Sequence, residues 1–292
     1  MCGRGIWAAC LGLVLVVSML GGYAPAGAAV AERKMFETTK VAEGVYSFRH
    51  VNHRNMFIVT AEGVIATDPI SPQAASAMMA EIRKVTDKPV KYVIYSHEHW
   101  DHIAGGKVFK DAGALFVAQE RCLETFVLNP SSQVVMPDIT FLDRHDIKLG
   151  GTTVELHYFG PNHGRCSTFV RLPKEKILFV VDLVTPNRVG FRGLTTTDPG
   201  GAVKSLRAVE KLDFERIIPG HGPATAPAKA VRDTRQYYED LIAAVREAMK
   251  KTGDVDKIKE MVKLPKYEKW GMYDRWLVLN VERIVGWLRV GQ

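Results

Sequence analysis

Residues 95–107, Tyr-Ser-His-Glu-His-Trp-Asp-His-Ile-Ala-Gly-Gly-Lys, put three histidines and two carboxylates within six positions. The preceding segment, Val90–Tyr95, reads as a short buried strand. At an extended strand end alternate residues share a face, so His97 and His99 point one way and Glu98 the other. The chain must then turn, and Asp101 and His102 come from that turn and the start of a helix. His97, His99, Asp101 and His102 are all of ligand types suited to zinc or iron. The spacing therefore aims His97 and His99 at one ion and Asp101 and His102 at a neighbouring one. Glu98 becomes a spectator or a support behind the ligands. The run is not the His-Glu-x-x-His pattern of helical zinc sites, because position 101 is Asp.

Partners for these residues lie downstream. His163 sits in a loop over 160–166, Asp182 ends a strand in Leu-Phe-Val-Val-Asp, and His221 lies in Pro-Gly-His-Gly. Each ends or follows an expected strand, where ligands from separate strands can meet at one sheet edge. His97, His99, Asp101, His102, His163, Asp182 and His221 exceed what one tetrahedral ion takes, which argues for two.

Alternation and apolar runs predict strands at 45–49, 56–60, 63–67, 90–95, 115–118, 146–149, 153–159, 168–172, 177–181 and 216–218. Helical spacing predicts helices at 74–86, 101–112, 120–128, 201–211, 231–251, 255–262 and 275–288. Strands in two batches interleaved with helices make an α/β chain of two packed sheets with helices outside. The polar stretch His50–Asn55 reads as an exposed hairpin loop that either flanks the site or is a plain solvated turn.

Residues 1–28 read as a secretory signal peptide, with Arg4, an apolar run Ile6–Leu20 and a small-residue cleavage site at Ala26-x-Ala28. That run is shorter than the ~20 residues of a membrane span, so the reading is a cleaved signal with no stable span left after cleavage, and an uncleaved anchor is the alternative. The expected destination is a bacterial periplasm or the outside of the cell. Cleavage leaves Cys122 and Cys166; spacing alone does not say whether they pair. Cys166 lies three residues after His163, either as a small buried residue or close to the metals. The formal charge of +7 comes without a clustered basic tract, so no nucleic-acid partner is expected.

The order His-x-His-x-Asp-His, then His, Asp and His, resembles the metallo-β-lactamase fold superfamily over residues 41–223. The resemblance implies an αββα sandwich with metals at one edge between the sheets. Residues 224–292 would form a C-terminal helical segment packed on the same domain. One site would be His97, His99 and His163, the other Asp101, His102 and His221, with Asp182 bridging two divalent ions, zinc first and iron as the alternative. Asp68 fits the family motif that supports the ligand loop. A metal-bridging hydroxide would then attack an ester, lactone, thioester or lactam carbonyl of a small molecule, with Asp101 as the catalytic carboxylate. The alternative is a mononuclear iron oxidoreductase of the persulfide dioxygenase kind.

Departures from the pattern narrow this. Di-zinc β-lactamases carry Cys where Asp182 stands and Lys three residues on, where this chain has Thr185; quorum-signal lactonases carry Tyr there. Flavodiiron proteins carry Glu at the His99 position. The tail around 264–288 is loosely similar to exported members associated with sulfur-oxidation and quinoprotein gene clusters. Within it, Trp276, Leu277, Val281, Ile284 and Leu288 have the helical spacing of core residues. Arg188, Phe191 and Arg192, just beyond Asp182, are the candidate contacts for an anionic substrate, the other reading being arginines on a plain surface loop.

Overall fold

The computed structural model describes residues 34–290. The expected signal peptide therefore lies outside the described residues. Seven strands form one sheet in sequential order: β1 (Phe36–Ala42), β2 (Val45–His50), β3 (His53–Val59), β4 (Val64–Thr67), β5 (Val90–Ile94), β6 (Leu115–Gln119) and β7 (Ile139–Phe141). The first four pair antiparallel; β4 to β7 run parallel and need crossovers. These carry helices α1 (Pro72–Val85), α2 (Trp100–Ile103), α3 (Lys107–Asp111) and α4 (Cys122–Leu128). The second sheet contains β8 (Arg144–Leu149), β9 (Thr152–His157), β10 (Phe169–Leu172), β11 (Ile177–Val180), β12 (Arg216–Pro219) and β13 (Ala226–Pro227). Helix α5 (Pro199–Val209) crosses from β11 to its parallel neighbour β12.

The period-two alternation of buried strands builds the layers. In β4 every residue is buried; Ile65 faces the second sheet, whereas Val64 and Ala66 face α1. In β11, Ile177 and Phe179 face the first sheet, and Leu178 and Val180 face α5 and the next helix, α6 (Lys229–Met249). Two faces buried on each central strand require a covering layer on both sides, which gives helix–sheet–sheet–helix. Helices α6, α7 (Val255–Met261) and α8 (Tyr273–Val290) form a further apolar cluster around Tyr237, Leu241, Ile258, Val281 and Ile284.

Strands β1, β7 and β13 were not expected from the sequence. β1 is exposed or half-buried throughout and lacks a clean apolar alternation, and β13 has two residues. The helix expected over 101–112 is two short ones. Gly105 separates them with φ +86, and a Cβ there would stand 2.2 Å from the Ser71–Pro72 backbone. Only glycine permits that approach. Leu277, Val281 and Ile284 are core residues as expected, while Trp276 and Leu288 lie half-buried at its edge.

Candidate metal centre

The candidate ligands stand beyond the carboxyl ends of parallel strands, where α/β sheets place their sites. β5 leads to His97 and His99, β11 to Asp182, and β12 to His221. Asp68 follows β4; its Oδ1 accepts the Ser96 N–H at 2.8 Å, and its own N–H donates to Ile94 O at 3.0 Å. Asp68 and Asp182 take left-handed backbone conformations, φ 34 and 59, which non-glycine residues hold mainly at functional turns.

Backbone bonds across the sandwich close this edge. Arg54 N–H donates to Gly220 O at 2.7 Å, and Thr168 N–H to Ser96 O at 2.6 Å. The first brings the start of β3 to the His221 loop, and the second brings His97 beside the His163 loop. Buried Glu98 adds to the second contact, accepting the N–H of Arg165 at 2.6 Å and of Cys166 at 3.3 Å. A Cβ on Gly164 would meet that carboxylate at 2.7 Å. Glu98 is thus a support that ties one ligand loop to another. Cys166 is fully buried and disulfide-bonded to Cys122, at the start of α4.

His97, His99, His163 and Asp182 bring one ligand atom each within 4.8 Å of one another, and so do His53, His102 and His221. Asp182 stands between the two groups. Its Oδ2 lies 3.7 Å from His97 Nε2, 3.4 Å from His163 Nε2 and 3.3 Å from His102 Nε2. Its Oδ1 lies 2.9 Å from His221 Nε2. Outer partners decide which ring nitrogen faces inward. His221 Nδ1–H donates to Asn52 O at 2.7 Å, His97 Nδ1 meets Ser96 Oγ at 2.8 Å, and His163 Nδ1 meets Thr197 Oγ1 at 3.4 Å. This is how metal-binding imidazoles are oriented.

These residues fit a pair of cations. His97 Nε2 and both ring nitrogens of His102 are buried and make no hydrogen bond. Buried nitrogens aimed at a carboxylate without bonding to it leave room for a shared positive charge. The electrostatics agree. Burial pushes His102 down, but Asp182, Asp68 and Asp101 outweigh it and raise it to about 9. Asp101 is raised by burial yet drawn to about 2 by His53 and His102. Asp68 is pushed up to about 6, chiefly by burial.

Asp101 belongs to neither group but borders the second. Its carboxylate is 58% exposed, 3.9 Å from His102 Nε2, and held by His53 Nε2 at 3.1 Å. His53 was not among the expected ligands. Its signal was the polar stretch His50–Asn55, of which only Val51 and Asn52 form the turn; His53 opens β3 and points into the site. Arg188 and Phe191 line an adjoining cleft, whereas Arg192 stacks on Phe191 at 5.2 Å and is not among the residues lining it.

Residues 51–221 match the family model described as the metallo-beta-lactamase superfamily. A linear primary-alkylsulfatase of Pseudomonas sp. (strain ATCC 19151) is 25% identical over 261 residues, 71% of this chain and 49% of that protein. This chain thus spans about half the alkylsulfatase's length. The 2,4-dinitroanisole O-demethylase subunit alpha of Nocardioides sp. (strain JS1661) is 26% identical, covering 77% of this chain and 70% of the relative. Among solved structures, a metallo-beta-lactamase from Pontibacter korlensis superposes with a TM-score of 0.62 at 21% identity. That match covers 70% of this chain and 99% of the other, a likeness of fold.

Proposed function

The chain belongs to the metallo-β-lactamase superfamily, and on that premise we propose that it is an exported, binuclear metal-dependent hydrolase of small-molecule substrates. One observation carries the reading: a single carboxylate, Asp182, lies within 2.9–3.7 Å of four histidines drawn from both ligand groups. His97, His99 and His163 would hold one ion, and His102 and His221 the other, with Asp182 between them. His53 or Asp101 would complete the second set. Two divalent ions, zinc in this reading, would supply an acidified water and Lewis-acid polarisation of the scissile bond.

The chain's own groups have distinct parts. Asp101, ionised and held by His53, accepts a hydrogen bond from the attacking water and orients it. Glu98 and Asp68 hold the ligand loops in register. The reaction would open an ester, lactone, thioester or lactam carbonyl. The names of two relatives, an alkylsulfatase and a dinitroanisole demethylase, add sulfate esters and aryl methyl ethers to the bonds worth testing. The Cys122–Cys166 disulfide supports an oxidising compartment, in keeping with export.

The experiment is metal quantification on purified protein together with a panel of those bond types. Two zinc ions per chain and turnover of at least one class are expected, with Asp182→Ala losing metal and more than about 100-fold in rate. One iron per chain with dioxygen uptake would replace this reading with an oxidoreductase. Protein that binds no metal would end it.

A further inference from the structure

The segment from Asp182 to Thr197 and one face of α6 wall a narrow cleft, partly open to solvent. The ligand residues His163 and Asp182 stand in its wall. The rest is largely apolar or hydroxylic, with Val189, Leu194, Tyr237 and Tyr238 lining it and half-exposed Phe191 among them. Among the described residues lining this cleft, Arg188 is the one lysine or arginine.

Arg188 is held in place but left without a counter-charge. Its guanidinium carbon lies 5.4 Å from the Trp276 ring centroid and 5.8 Å from that of Phe191. Nη2 donates to Thr185 Oγ1 at 2.9 Å, while Nε is buried and makes no hydrogen bond. No carboxylate among the described residues lies within ion-pairing distance of it. Burial works against its charge, and Asp182 only partly compensates. A half-buried guanidinium without a carboxylate is costly unless an anion completes it. Aromatic faces and a hydroxyl hold the fork in one orientation, which pre-organises it for an oxyanion.

We infer that Arg188 anchors an anionic group of the substrate, and that the substrate class is a compact apolar or aromatic molecule bearing a carboxylate, sulfate or phosphate. This deepens the hydrolase reading above and rests on it, because a molecule held at Arg188 reaches His163 and Asp182 along the same cleft. Arg192, on the Phe191 ring and outside the lining, takes no part.

The test separates this claim from the hydrolase reading by using binding as well as turnover. Phenylacetate, phenyl sulfate and phenyl phosphate are titrated into the metal-loaded protein against uncharged phenylacetamide, following Trp276 fluorescence with Trp276→Phe as the control. The anions are expected to bind at least about 10-fold tighter than the amide, and Arg188→Gln to erase about 10- to 100-fold of that preference. Which anion binds tightest tells a carboxylate subsite from a sulfate or phosphate one. In turnover, the ratio of kcat/KM for an anionic ester to that for its neutral amide-capped analogue should fall by a similar factor. Arg188→Lys, which keeps the charge without the fork, should retain part of the preference and serves if Arg188→Gln does not fold. Wild-type protein that does not distinguish anion from amide, or anion affinity unchanged in Arg188→Gln, overturns the inference. Absence of turnover with anion binding intact counts against the hydrolase reading alone.

Discussion

Removing the Cys122–Cys166 disulfide probes how firmly the His163 loop is held to the first sheet. The bond joins the start of α4 to a loop residue three positions after His163, across a separation of 44 residues. Closing a loop of that length lowers the unfolded chain's entropy by an amount worth about 4 kcal/mol. For a body of this size each kcal/mol shifts Tm by roughly 2–4 °C, so the double variant Cys122→Ala, Cys166→Ala should melt about 8–16 °C lower. Both sulfurs are fully buried in the cluster around Tyr95 and Phe126, so the void left by the alanines adds to that loss. The local effect should be smaller than the global one. Glu98 still accepts two N–H groups from the loop, and Gly164 N–H still donates to Thr196 O at 2.9 Å. The assay is thermal unfolding of oxidised wild type and variant, each with metal loaded and stripped, with metal content measured beside it. A shift below about 2 °C would refute the loop-closure reasoning. Free thiols at both positions in native protein would refute the pairing itself.

Three other outcomes are expected. Glu98→Gln removes the charge from an acceptor of two backbone N–H groups, a loss of about 1.5–3 kcal/mol at the charged bond; metal titration should show weaker binding at His97, His99 and His163, and unchanged affinity would contradict the supporting role. His53→Ala should lower kcat about 10- to 100-fold while metal stoichiometry stays at wild type if it acts through Asp101; loss of one metal per chain would make it a ligand instead. Gly105→Ala places a methyl 2.2 Å from backbone atoms at φ +86, and denaturant unfolding should register more than about 2 kcal/mol of destabilisation.

Seven of the groups around the centre were legible in the sequence because chemistry and local geometry coincide there. His97 and His99 alternate off a strand end, and Asp182 and His221 end or follow apolar strands whose burial is written in their composition. Unbroken apolar runs at 64–66 and 177–180 likewise announce strands buried on both faces, and so a layered sandwich. Those signals need only neighbours a few residues apart. What they cannot carry is any pairing made across the fold. His53 enters the centre because β3 is bonded to the His221 loop, 168 positions away through Arg54 and Gly222. Glu98 becomes a tie, and Cys122 meets Cys166, only once the His163 loop lies against the first sheet. The roles of Arg188 and Arg192, four residues apart, part because one side chain turns into the cleft between Trp276 and Phe191 and the other stacks outside. Sequence by itself offered seven candidate ligands and the strands they leave. The tertiary structure decided their company, because contacts between distant segments follow from how two sheets pack and not from local spacing.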